Sequence, residues 1–342
     1  MKAIWCIFLF LYFYGCNAEG TGVPVIHFKL SDTVPVSLSD IAGKVKKIDL
    51  QLTEESLLGE VSQVLVCGDK ILVLDFTTAL FMFDSTGRFI RRIGEKGRGP
   101  REYLYLNNVT ADERNGILYL NDSRKILKFD PDGNFIDEIS YPGYHEYLSF
   151  VNDTLYCISS LPGEKVGSYF RNSASLVALN DKLEISDSLG IREVYMKSMT
   201  ASSYPKKHFL SGAGGELFVY YPVLLKEPFV RDTLYRVSGH REIVPFLSLA
   251  GDYADKEKTM VYNMYRAGKY LFMEMRSSGR EYLVICDPEE KTLLNAGGAL
   301  KDDFYHTGAV KKIYPLPDAG FYFLAQDETG GNPVLFIGKL NE

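Results

Sequence analysis

The chain has 342 residues, with 38 Lys and Arg against 44 Asp and Glu, a net charge of −6, and 46% hydrophobic and 24% charged residues. This balance excludes a disordered chain and a polytopic membrane protein, and the acidic sum argues against a general nucleic-acid binder. Aromatics reach 13%, with 23 Tyr and 21 Phe against one Trp, a bias toward strands.

Lys2 is the only charge before Gly15-Cys16, and the apolar run Ala3 to Tyr14 is too short to span a bilayer comfortably. That pattern predicts an export signal over residues 1–16. Gly15-Cys16 reads as the end of a bacterial lipobox, with the lipid on Cys16, although Phe13 and Tyr14 are bulky for that motif. Ordinary cleavage after Ala18 is the competing reading. Cys6 goes with the signal, and Cys67, Cys157 and Cys286 lie far apart without a CxxC pair. They form no disulfide framework or zinc motif and read as buried small hydrophobes.

Residues 17–43 carry Pro24 and Pro35 with few alternating apolars, and read as a tether and entry segment. From Val45 to Leu52 the chain alternates: Ile48, Leu50 and Leu52 share one face, and Lys47, Asp49 and Gln51 the other. This predicts a half-buried strand.

Self-comparison then shows a repeat at a constant offset of 46 residues: Ile71/Ile117, Phe83/Phe129, Asp84/Asp130, Gly87/Gly133, Phe89/Phe135 and Ile93/Ile139. Each unit reads as three strands, with a type I turn, Asp84 to Gly87 or Asp130 to Gly133, before the last. A further strand precedes each unit, Gln63 to Cys67 and Asn108 to Asp112, making four. Weaker copies follow from Thr154, Glu216, Tyr270 and Gly320, and the sixth is one strand short. The strand at Val45 to Leu52 would supply it. The expectation is an all-β fold over residues 44–342, a six-bladed β-propeller whose last blade is closed by an N-terminal strand. Two stacked β-sandwiches would not explain the constant register.

The string Ile93 to Tyr103, of the form IG-x-x-G-x-GP-x-E-aromatic, and Arg231 to Val237, with its Asp-Thr-aliphatic-Tyr core, carry a resemblance. With Val45 to Leu58 they make residues 40 to 342 similar to the six-bladed β-propeller lipoproteins of Gram-negative bacteria, related in pattern to NHL-type propellers. The resemblance implies the fold and an envelope location, lipid-anchored on the periplasmic or outer-membrane side, and little chemistry.

Two constellations are candidates for function. The connector Gly94 to Tyr103 has three Gly and a Pro and carries Lys96, Arg98, Arg101, Glu102 and Tyr103. It reads either as a pinned blade connector or as part of a binding rim near the channel mouth for a polar or anionic ligand. It is no P-loop, lacking GK[ST] and a following helix. His145, His208 and His306 each fall just before a predicted inner strand, where three imidazoles could hold a divalent metal, as in NHL-like lyases. Solvated or singly bonded imidazoles are the plainer alternative. Asn108, Asn263 and Asp112 lie near places where a lactonase-like metal site would need them. No GxSxG, HExxH or EF-hand loop is present. The expected function is a binding or scaffold module without a cofactor, working through its channel-mouth loops. The alternative is an NHL-like metal-dependent lyase or hydrolase with a site at the central channel. The expected partner is a glycan, a peptide or an envelope protein. The chain should not bind nucleic acid, should meet the membrane only through its lipid, and should be a monomer.

Overall fold

The computed structural model describes residues 22–30, 36–77, 79–141, 143–197, 206–222, 230–239, 242–327 and 329–342. The signal segment and Cys16 lie outside the described residues. Six antiparallel blades follow one another around a ring, five of four strands and one, blade 4, widened to five by a parallel strand. Blade 1 runs Val61–Cys67, Lys70–Asp75, Leu80–Asp84 and Phe89–Ile93, and blade 2 runs Asn108–Asp112, Ile117–Asp122, Lys125–Phe129 and Phe135–Ser140. Blade 3 has longer strands, Tyr144–Val151, Thr154–Val166, Tyr169–Leu179 and Ile185–Met196. Blade 4 is built from Leu210–Ala213, Glu216–Val219, Thr233–Val237 and Ile243–Gly251, and blade 5 from Thr259–Ala267, Tyr270–Ser277, Arg280–Asp287 and Thr292–Gly297. Blade 6 takes Tyr314–Pro315, Gly320–Ala325 and Val334–Leu340 from the C-terminal end and Ala42–Asp49 from the N-terminal end.

The repeat turn has a physical basis. Asp84 Oδ1 accepts the backbone N–H groups of Thr86 and Arg88, and Asp130 Oδ1 those of Asp132 and Asn134. Each turn exits through a glycine in the left-handed region, Gly87 at φ 90 and Gly133 at φ 80. The hydrogen bonds, that from the Thr86 hydroxyl foremost, hold the Asp84 carboxyl down at about 2.

The core is divided into layers, one between each pair of neighbouring blades. Leu72, Leu118 and Phe129 pack between blades 1 and 2, and Phe81, Tyr322 and Leu335 between blades 6 and 1. Both faces of each sheet are therefore covered, which is why the second strands are continuous apolar runs. Neighbouring inner strands diverge too far for a ladder, and side chains take the place of the missing peptide partners. Gln63 gives Nε2 to the carbonyl of Val109 and accepts its N–H, both at 2.8 Å. Asn108 does the same for Leu148. Asn263 accepts the His208 N–H at 2.8 Å, and the Tyr322 hydroxyl accepts that of Val64 at 2.9 Å.

The N-terminal strand closes blade 6 antiparallel to Val334–Leu340, with Val45 opposite Gly338 and Ile48 opposite Leu335. Two details differ from expectation. The strand is Ala42–Asp49, not Val45 to Leu52, and Leu52 is 47% exposed while Ile48 and Leu50 are buried. After Asp49 the chain leaves the sheet for the blade 1 turn, the Gln51 N–H bonding to the Gly87 carbonyl, so the period-two pattern stops short of Leu52. The segment 17–43 is not all tether. Val25–Phe28 pairs in parallel with the outer strand of blade 4, burying Ile26 and Phe28 against blade 5. Leu38 and Ile41 are fully buried between blades 5 and 6.

Candidate functional site

The connector Gly94 to Tyr103 folds back on itself, Glu95–Lys96 pairing in parallel with Glu102–Tyr103. Glu102 accepts the Gly99 N–H at 2.7 Å, and its carboxylate fills the space a side chain at Gly97 would need. The Tyr103 ring is buried, and its hydroxyl donates to the Ile93 carbonyl at 3.3 Å. Glu102 and Tyr103 are thus structural pins. Lys96, Arg98 and Arg101 stay exposed. With Arg91 of the outer strand, Lys96 and Arg101 line a groove of about 740 Å³ between blades 1 and 2. That groove lies away from the channel mouth, where the sequence had placed the loop.

A larger concavity lies on the ring axis. A funnel of about 890 Å³ takes lining residues from all six blades, among them Gln63, Thr110, Tyr147, Ser211, Arg266 and Pro315. It also takes Glu113, Asn152, Gly214, Lys269 and Asp318, from the turns between first and second strands of blades 2 to 6. In an antiparallel blade those turns lie on the face opposite the blade connectors, so the funnel opens away from them. Its rim carries Glu113, Glu216, Glu289, Asp318 and Glu342 against Arg266 and Lys269. Glu216 is held by Arg236 at 2.8 Å, Lys269 bonds the terminal Glu342 oxygen at 3.1 Å, and Arg266 reaches Glu289 at 3.6 Å. Burial, and then the neighbouring Asp318, push the Glu113 carboxyl up. The rim is therefore net acidic.

His208 lies at the inner end of the funnel, behind Leu210 and away from the turn face. Tyr265 and Tyr314 back its ring at 5.3 and 5.5 Å. Burial lowers its imidazole to about 3, and its Nε2 is buried without a hydrogen-bond partner. His145 sits in the first strand of blade 3, its Nδ1 2.7 Å from Cys157 Sγ and its ring against Tyr141. Burial lowers it to about 4. His306 is exposed, at φ 58, in the connector into blade 6. The three imidazoles expected at one metal each keep separate surroundings, and among the described residues no three His, Cys, Asp or Glu side chains come together as a metal site. The reason is position along the strand: one lies within an inner strand, one before it, one out in a loop. Asn108 and Asn263 are spent on joining blades, and Asp112 caps its own turn through Asn115. Cys67, Cys157 and Cys286 are free, the last two buried.

The family model described as a domain of unknown function, DUF4934, matches residues 23–324. The chain belongs to this family. A search of curated proteins returned no match. Among solved structures, the chain is similar to a Bacteroides fragilis protein classed as exported, at 17% identity and a TM-score of 0.64, covering 93% of this chain and all of that one. It is also similar to a protein of unknown function from Bacteroides caccae, at 13% identity and a TM-score of 0.43, covering 80% of this chain and 83% of that one. The β-propeller domain of the Trilobed protease from Pyrococcus furiosus gives 12% identity and a TM-score of 0.46, covering 82% and 83%. The first likeness supports the fold alone. No helix among the described residues is long and apolar enough to cross a membrane.

The funnel's lining is what sequence reasoning missed, although a site at the central channel was its alternative reading. That lining comes from six blades a few residues at a time, so no local string announces it. The available signal was an acidic residue in the first turns of blades 2 and 6, Glu113 and Asp318.

Proposed function

We propose that this DUF4934 protein is an exported binding module, anchored through Cys16, that takes a small ligand into the axial funnel. The observation carrying this reading is the funnel: about 890 Å³, within the range of small-molecule sites, and lined from all six blades. The acidic rim favours a ligand with a cationic group, since Arg266 and Lys269 are already engaged with Glu289 and Glu342. Export is supported by Lys2 with its apolar run, and by the Bacteroides fragilis protein classed as exported.

A thermal-unfolding screen of small amines tests the site. A ligand at one hundred times its dissociation constant adds about 2.7 kcal/mol to the folded state. At least one amine should raise the melting temperature of the wild type and leave the Glu113→Gln, Asp318→Asn variant unmoved. A response to small acids alone would overturn the charge assignment, and a response to nothing the reading itself. For the anchor, Cys16→Ala should move the protein from the membrane fraction to the soluble envelope fraction, and unchanged fractionation would sink it.

A further inference from the structure

We infer that the groove between blades 1 and 2 is a second, separate binding site, for an acidic polysaccharide bearing carboxylates along its chain. Four cations gather there: Arg91, Lys96 and Arg101 in the lining and Arg98 on the same loop, while the Arg92 head turns to the other face of blade 1, over Phe81. On a chain of net charge −6 this is a local reversal of sign. Among the described residues none of the four forms an ion pair. Arg91 donates to the Asp132 carbonyl at 3.3 Å and Lys96 to that of Thr77 at 3.2 Å. Two of the heads rest on aromatic faces, Arg101 on Phe135 at 5.2 Å and Lys96 on Tyr105 at 5.6 Å from the ring centroids. Cations held this way are oriented before a ligand arrives, so less entropy is lost on binding. The two carboxylates in the lining are Glu95 and Glu102, and Glu102 is occupied by the Gly99 N–H.

Three features select the ligand. The cations are spread along about 740 Å³ of groove and do not converge on one point, which suits a chain of charges better than a single anion. Guanidinium forks match carboxylates two bonds at a time. Tyr105, 63% exposed beside Lys96 and just outside the groove's own lining, offers a flat apolar face to the C–H side of a sugar ring. An acidic peptide fits less well, because the blade edge it would extend is blunted. The Phe89 N–H is taken by Gln51 Oε1 and the Ile93 carbonyl by the Tyr103 hydroxyl. The acidic chain as a whole disfavours duplex DNA.

Alginate serves as the probe for the full chain, with neutral dextran, poly-glutamate and duplex DNA beside it, in affinity electrophoresis and calorimetry. Alginate should bind, more weakly as salt rises, and dextran should not. Arg98→Glu with Arg101→Glu should weaken alginate at least tenfold at an unchanged melting temperature. If that variant fails to fold, Arg91→Glu with Lys96→Glu decides in its place. The funnel variant Glu113→Gln, Asp318→Asn should bind alginate like the wild type, which separates this site from the funnel. The inference is overturned if the wild type ignores alginate, if the folded charge-reversed chain binds it unchanged, or if poly-glutamate or DNA binds as tightly.

Discussion

The segment before blade 1 supplies two strands, and they do opposite work. Ala42–Asp49 completes blade 6 and joins the two ends of the chain. Val25–Phe28 lies in parallel on a blade 4 that already has its four strands. The first is a member of the ring, and the second is a cover on one edge of it. Both bury apolar side chains, so burial alone does not tell an essential strand from an accessory one. Topology does: losing the first opens a closed sheet system, and losing the second returns one blade to its ordinary width.

Truncation breaks the comparison most directly. Beyond Ile26 and Phe28, removing residues 1–52 takes Leu38, Ile41, Ile48 and Leu50 out of the core. At roughly 2 kcal/mol for each buried side chain this is on the order of 8 kcal/mol, comparable to a whole domain's stability. We expect an aggregated or unfolded product by circular dichroism and gel filtration. A soluble product with a cooperative melt near that of the full chain would mean that the ring closes without Ala42–Asp49.

A point substitution probes the same closure. A side chain at Gly87 would strike the Asp49 carbonyl and come within 2.9 Å of Ile48 Cγ2, with φ at +90 besides. At Gly133, the matching position of blade 2, the nearest atom is Ile93 Cγ1 at 3.1 Å. Gly87→Ala should therefore cost about 3 kcal/mol, and Gly133→Ala about half of that. Equal losses in urea denaturation would show that contact with the closing strand is not what constrains Gly87.

Removing residues 1–30 is the milder cut. It loses Ile26 and Phe28, gross burial of about 4 kcal/mol, and recovers part of that as chain entropy. The product should fold, with a melting temperature lower by several degrees. Complete loss of folding would erase the distinction between ring and cover.

The two strands also differ in how far they could be read. Lys47, Ile48, Asp49 and Leu50 alternate in plain view, and the closing strand was legible to within three residues at each end. Val25 to Phe28 is four residues, two of them buried, too short for a period to stand out among prolines. Blades 1 and 2 were legible because the turn is written in residues, Asp then Gly, at a fixed offset. The connector Gly94 to Tyr103 was legible as a motif for the same reason, its glycines marking special backbone. Its position was not, because the channel mouth is a property of how six blades meet. The residues that line the funnel were invisible for that reason too.

The third blade shows how the turn fades from sequence while persisting in structure. Asn180 Oδ1 accepts the N–H groups of Lys182 and Glu184, as Asp84 does for Thr86 and Arg88. The exit residue, in the left-handed region at φ 61, is Leu183 where its counterparts are glycines. Leu183 is buried among Leu148, Leu155 and Leu179 between blades 2 and 3, so it exchanges backbone strain for packing. Leu183→Ala loses the packing and keeps the strain, a cost of about 3 kcal/mol. Leu183→Gly loses the packing and relieves the strain, worth about 1 kcal/mol. The glycine variant should therefore be the more stable of the two by about 1 kcal/mol, the reverse of their order in ordinary backbone. Paired urea titrations resolve a difference of that size. An alanine variant as stable as the glycine variant would mean that the turn relaxes out of the left-handed region once the leucine is gone, and that its geometry is held by the leucine's packing and not by Asn180.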